Sequence, residues 1–310
     1  MHYGIRGVLY ELFKNYLANR AQCVYYKNTY SDFLPITCGV PQGSVLGPIL
    51  FLIYMNDINL SSSILTFILF ADDTTILFSS NSLDNLNLII NKELISVNEW
   101  IKANKLSLNI SKTNFIIFKK KLQSPQNFVI VTIENTIIKQ VTSTKFLGVN
   151  INAENGWKDH INEVTKKISR ALGIIRRIRY KLTTKTAMLL YDALILSHIT
   201  YCNIVWAATY KTGLKRIYVI QKRALKVCLK RKSASYPKNQ INLNMNSVFI
   251  ISNRLSIYNL NKLQTVEVIY QVINKTAPLC LHNILVPLST INHWVYILIT
   301  LDQKIGIIYF

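Results

Sequence analysis

The chain contains a single adjacent pair of acidic residues, Asp72-Asp73, set between two apolar runs, Ile68-Leu69-Phe70 and Ile76-Leu77-Phe78. Runs of this length and composition read as strands, so Ile64 to Phe70 and Thr74 to Phe78 form a hairpin with the acids at its tip. An unpaired carboxylate is costly to bury, and two side by side repel unless a cation lies between or above them. One or two carboxylates, completed by substrate phosphates and water, hold Mg²⁺ for phosphoryl transfer. An exposed turn, where Asp is common, explains the pair equally well when it is taken alone.

Its surroundings add information. About thirty residues upstream stands Gly39-Val40-Pro41-Gln42-Gly43-Ser44-Val45-Leu46-Gly47-Pro48, a glycine-punctuated turn leading into an apolar helix over Val45 to Ile58. Glycines let a nucleotide or a nucleic-acid backbone approach the main chain, and the Gln42 amide can meet a base or sugar edge. Further on, Ser82 can cap a helix reaching Lys102, with Leu86, Ile90, Leu94, Val97 and Ile101 on one face. Before the turn, Gly7 to Arg20 reads as a helix, and Ala21 to Lys27 and Asp32 to Thr37 as strands flanking an Asn28–Thr29 turn. After it, Phe115 to Phe118, Phe128 to Ile133, Thr136 to Lys139 and Phe146 to Ile151 read as short strands.

Charge divides the chain near Gly156. Of 36 Lys+Arg against 15 Asp+Glu (net +21), residues 157–232 hold 18 bases and only three acids. Ile161, Val164, Ile168, Leu172, Ile175 and Ile178 recur at helical spacing, with Lys166, Lys167, Arg170, Arg176, Arg177 and Arg179 on the remaining face. A second basic helix, Leu214 to Lys230, buries Leu214, Ile217, Ile220 and Ala224 and presents Lys215, Arg216, Lys222, Arg223 and Lys226. A solvated face ordinarily mixes both signs; these faces are almost purely basic and suit a phosphate backbone.

Other classes are disfavoured. The longest apolar run, Val45 to Met55, has eleven residues and contains Gly47 and Pro48. A spanning helix needs roughly 18 or more, so no membrane partner is expected. Five scattered cysteines, Cys23, Cys38, Cys202, Cys228 and Cys280, form no C-x-x-C pair and predict reduced, mostly buried thiols of an intracellular protein, nuclear or cytoplasmic, without a structural zinc site.

The ten-residue turn at 39–48, the helix Ile49 to Ile58 and Phe70-Ala71-Asp72-Asp73 together resemble motifs B and C of reverse transcriptases, in the form found in non-LTR, jockey-like retrotransposons. Asn104 to Thr113 resembles motif D of that family, and Lys145-Phe146-Leu147-Gly148-Val149 its primer-grip motif E. His160-Ile161, Tyr201-Cys202 with Val205-Trp206, and Gln221-Lys222-Arg223-Ala224 resemble its region beyond the palm. The likeness spans residues 3 to 285. It implies an α+β fold: a polymerase palm with an antiparallel sheet and packed helices over 1–156, a basic helical thumb and C-terminal region over 157–285, and an apolar tail over 286–310 that leaves the family pattern.

The resemblance also implies roles. Asp72 and Asp73 are metal ligands for Mg²⁺ or Mn²⁺, and Lys112 lies near the triphosphate as acid for the leaving pyrophosphate. Pro41, Gln42 and Gly43 touch the template or incoming nucleotide, while Phe146, Leu147 and Gly148 hold the primer end. Lys166, Lys167, Arg170, Arg176, Arg177, Lys222 and Arg223 track the nucleic-acid backbone. The implied partners are an RNA template, a DNA primer and dNTPs. The implied reaction is in-line attack of the primer 3′-hydroxyl on a dNTP α-phosphate, with two metal ions clamping the attacking and leaving oxygens. In the family a further catalytic Asp lies on a strand before the segment that Tyr3-Gly4-Ile5-Arg6-Gly7 resembles. The acids ahead of the Gly-Pro turn, Glu11 and Asp32, do not stand in that context. The expectation is therefore a chain without motif A and fingers that does not polymerise alone, and whose remaining activity is binding nucleic acid.

Overall fold

The computed structural model describes residues 4–36, 39–41, 43–80, 82–118, 129–154, 156–229 and 247–281, together with the backbone of 305–309. The fold mixes helices with small sheets. It opens with α1 (Val8–Leu17) and two short ribbons, β1 (Ala21–Gln22) with β4 (Leu34–Pro35) and β2 (Tyr25–Tyr26) with β3 (Thr29–Tyr30). The tight turn of this excursion is Lys27-Asn28, both at positive φ (46° and 62°), one residue earlier than the Asn28–Thr29 turn read from the sequence. Asn tolerates that conformation because its short polar side chain bonds locally.

α2 (Leu46–Met55) follows, shorter than the predicted Val45 to Ile58 because the chain tightens into a 3₁₀ turn at Ile58–Ser61. Then come the predicted hairpin, β5 (Thr66–Phe70) and β6 (Asp73–Ser79), and α3 (Leu83–Ala103). The Ser82 hydroxyl accepts the Asn85 N–H at 3.1 Å, and all five apolar residues of the expected stripe are buried. They form one core with Ile76, Phe115, Ile117, Val131 and Ile138.

β7 (Asn114–Ile117), β8 (Thr132–Ile133), β9 (Thr136–Ile137) and β10 (Lys139–Gln140) complete this layer. The expected strand at Phe128 to Ile133 shrinks to β8, and Phe128 lies outside the described residues. β11 (Ser143–Phe146) and β12 (Val149–Asn152) then split what reads in sequence as a single strand, Phe146 to Ile151. The turn between them is Leu147-Gly148, with φ of 44° and 85°. Leu has no turn propensity, which is why the hydrophobic run conceals the reversal.

The helical half comprises α4 (Lys158–Ile178), α5 (Thr184–Tyr191), a π-helical turn at Asp192–Leu196, α6 (Ser197–Thr200), α7 (Asn203–Trp206), α8 (Lys211–Leu229), α9 (Ser247–Ser252) and α10 (Ile257–Ile273). A second core, from Ile161 to Ile257 in sequence, includes Ile168, Ile175, Tyr191, Trp206, Ile217 and Leu225. β13 (Ile305–Tyr309) returns to the first half. It lies antiparallel between β6 and β7 in a sheet ordered β10-β7-β13-β6-β5. Part of the apolar tail that leaves the family pattern is therefore a central strand. The sheet is also not wholly antiparallel, since β10 runs parallel to β7.

Candidate active site

The hairpin β5–β6 turns through Ala71-Asp72, with Phe70 facing Asp73 across the register. Ala71 takes a positive φ of 50°, a conformation that is strained for any residue with a Cβ. Both carboxylates are exposed, while Thr74, Thr75 and Ile76 behind them are buried. The strands thus root the tip in the core and leave the acids in water.

Asp72 and Asp73 line a cleft of about 560 Å³ with Lys112, Phe146 and Leu147. Four separate stretches converge there: the hairpin tip, the segment between α3 and β7, the β11–β12 turn, and α2 through Phe51 and Met55. Asn109 shapes the second stretch. Its carbonyl accepts the Thr113 N–H and hydroxyl, and its side chain accepts the Ser111 hydroxyl at 2.7 Å, winding the loop that carries Lys112. Gly148 lies next to this cleft. Its φ of 85° disfavours a side chain, and an added Cβ would sit 3.2 Å from the Tyr201 ring. Tyr201 in turn donates its hydroxyl to the Leu147 carbonyl at 2.5 Å, tying the turn to the helical half.

Two further lining residues were not picked out from the sequence. Lys145 adjoins Phe146 within the motif E resemblance and adds a second ammonium. Asn114 also lines the cleft, and its buried Oδ1 has no hydrogen-bond partner. A lone Asn at a strand start carries no sequence signal of this kind.

The Gly-rich turn is placed differently. Pro41 and Gly43 do not line the cleft, and Gln42 lies outside the described residues. Gly39 and Gly43 both adopt positive φ (77° and 82°) with open space where a Cβ would go, so the backbone angle alone accounts for glycine there. The Ser44 hydroxyl accepts the Gly47 N–H at 3.0 Å and starts α2.

On α4, Lys166, Arg170, Arg176 and Arg177 are exposed, whereas Lys167 is paired with Glu163 at 2.6 Å. Lys167 and the Asn150 amide both bond to Glu163 and hold its carboxyl below the ordinary range despite partial burial. Arg179 turns inward, contrary to its expected place on the basic face. It donates to the carbonyls of Leu182 (2.7 Å), Cys228 (2.9 Å) and Val227 (3.0 Å), satisfying chain ends that helices leave open. On α8, Arg223 is exposed and Lys222 half-buried.

His160 is buried where α4 meets β12. Its Nδ1 accepts the Asn150 N–H at 3.2 Å, a bond only the neutral ring can make, and burial pushes its pKa down. Of the described thiols, Cys228 is buried, which raises its pKa to about 11, while Cys23 and Cys202 are half-buried rather than enclosed as expected. Cys38 and the Cys280 side chain lie outside the described residues. Among the described residues, no three His, Cys, Asp or Glu side chains group as metal ligands, and no helix is long and apolar enough to cross a membrane.

Residues 5–151 match the family model described as reverse transcriptase (RNA-dependent DNA polymerase). Over that region the chain is similar to reverse transcriptases. Its relatives are named as transposon proteins. It is 27% identical over 230 residues to the "Probable RNA-directed DNA polymerase from transposon BS" of Drosophila melanogaster, covering 70% of this chain and 25% of that protein. The Pol polyprotein of type-1 retrotransposable element R1 from Nasonia vitripennis is 30% identical over 202 residues, 62% of this chain and 60% of that protein. The RNA-directed DNA polymerase from mobile element jockey of Drosophila melanogaster is 24% identical over 229 residues, 70% of this chain and 25% of that protein. The chain thus spans about a quarter of the length of the transposon BS and jockey proteins. No solved structure gives a significant match.

Proposed function

We propose that this chain is the palm-to-thumb part of an RNA-directed DNA polymerase of a non-LTR retrotransposon, divided near Gly156. The observation carrying the reading is the convergence of Asp72, Asp73, Lys112 and Phe146 on one cleft. These residues come from three stretches that separately resemble motifs C, D and E.

The two carboxylates are the oxygen donors offered to Mg²⁺ or Mn²⁺. The ion, when bound, neutralises triphosphate charge and stabilises the attacking and leaving oxygens. No third carboxylate joins them among the described residues. The set therefore fits one ion shared with substrate phosphates and water. Lys112 pairs with the triphosphate and protonates the departing pyrophosphate. The Phe146–Gly148 turn seats the primer end, and Tyr201 keeps that turn in place. Pro41, Gln42 and Gly43 are assigned to contact with the template strand or incoming nucleotide, as the resemblance implies, with Pro41 and Gly43 outside the cleft itself. Lys166, Arg170, Arg176, Arg177, Lys222 and Arg223 meet the phosphates of the RNA template and DNA primer, with affinity that falls as salt rises.

The test compares the wild-type chain with Asp72→Asn, measuring dNTP binding on a template–primer, and its incorporation, with and without Mg²⁺. Mg²⁺-dependent dNTP binding that disappears in the variant, while template–primer binding persists, supports the reading. Template–primer binding without Mg²⁺-dependent dNTP binding favours a non-catalytic nucleic-acid-binding protein instead, because the basic face of α4 needs no metal.

A further inference from the structure

We infer that the cleft between α8 and the α9–α10 corner is a second site, built for single-stranded nucleic acid. Its volume is about 1060 Å³, at the top of the roughly 300–1,000 Å³ typical of pockets for single small molecules. It therefore suits a short stretch of strand. The floor is aromatic: the Tyr218 ring stacks on Phe249 (centroids 5.6 Å apart, planes at 20°) and meets Tyr258 at 5.3 Å. The rim is basic. Lys211, Lys215 and Lys222 line one side, spaced four and seven residues apart along α8, a row about 16 Å long at helical rise.

Charge and chemistry select the occupant. Among the described residues, no acid lines the cleft. Arg254 also lines it, but its guanidinium is committed to Asp192 through bonds of 2.8 and 2.5 Å, so the argument rests on the exposed Lys211 and Lys215. Exposed Asn253 and Asn259 offer amides that can read base edges. A duplex hides its base faces within its own stack and gains nothing from an aromatic floor. An acidic peptide satisfies the lysines and leaves the rings unused. A single strand uses both, with phosphates on the lysine row and bases against the rings.

The site shares Lys222 with the duplex-contacting set of the polymerase reading, but it uses neither the Asp pair, a metal nor a dNTP, and its test alters only Lys211, Lys215 and Tyr218, so the two can fail separately. Fluorescence anisotropy with a labelled single-stranded RNA, a DNA of the same sequence and a blunt duplex, without divalent metal, tests it. Lys211→Glu/Lys215→Glu changes only exposed positions and should weaken single-strand binding by about tenfold or more. Duplex affinity should change less than about threefold. Tyr218→Leu keeps the floor apolar and should cost roughly fivefold to a hundredfold for single strands. Losses with both RNA and DNA, or with one alone, support the site and identify its strand. Unchanged single-strand affinity, an equal loss for the duplex, or displacement of the oligonucleotide by polyglutamate as readily as by unlabelled strand would overturn it.

Discussion

Gln221 is a polar residue with no exposed surface, on the inner face of α8. Its Nε2 donates to the Tyr191 hydroxyl at 3.1 Å and the Leu255 carbonyl at 2.9 Å, while its Oε1 accepts the Ile257 N–H at 3.0 Å. Ile257 is the first residue of α10, where N–H groups have no partner within the helix. Gln221 thus caps one helix from the side of another. Replacing it with Leu keeps the volume and strands the Ile257 N–H and the Tyr191 hydroxyl, both in fully buried residues. Leu255 is 40% exposed, so water can reach its carbonyl. Each stranded group costs about 1–3 kcal/mol, partly offset by placing an apolar side chain in an apolar core. The net expectation for Gln221→Leu is a loss of about 2–4 kcal/mol. Tyr191→Phe, which removes one bond and leaves the cap intact, should cost about 1 kcal/mol. Urea denaturation followed by far-UV dichroism and tryptophan fluorescence gives both values, and hydrogen exchange should rise at the start of α10 in the Leu variant only. A loss below about 1 kcal/mol, or equal losses in the two variants, would refute the capping argument.

Three further outcomes are expected. Gly148→Ala should lower stability by about 1–2 kcal/mol, because the φ of 85° is costly for a side chain and the Cβ crowds Tyr201; an unchanged melting temperature would contradict this. Ala71→Gly should raise stability by up to about 1 kcal/mol by relieving the positive φ at the hairpin turn, checked by the same denaturation. His160 is held neutral in the folded chain, so its pKa is below the unfolded value of 6.5. Stability should be full above that pH and decline as pH falls from 6.5 toward the depressed folded value, and His160→Gln should flatten that slope in melts across the window.

Periodicity carried most of the helical architecture. The stripe Leu86 to Ile101 and the run Ile161 to Ile175 are buried as their spacing requires. The Asp pair at a hairpin tip was equally legible, because two apolar runs broken by adjacent acids admit few alternatives. Other features depend on contacts distant in sequence. Arg179 reads as one more base on a basic face, and only the three carbonyls around it draw it inward. Gln221 occupies the register of Ile217 and Ala224, a polar residue where the pattern calls for an apolar one, and its spacing alone does not say which groups it bonds. The Leu147-Gly148 reversal is hidden within an apolar run, and the placing of β13 between β6 and β7 leaves no trace in local pattern.

The β11–β12 hairpin belongs to the first half by sequence and to the second by contact. Asn150 bonds to His160 and Glu163 of α4, and Leu147 to Tyr201. The family match ends at residue 151, at this seam. The stretch that the family model matches and the unit that packs together therefore have different borders. A chain cut after residue 151 would keep the hairpin but lose the helical surface that holds its turn against the cleft. What is conveyed as one module along the sequence is, mechanically, a joint.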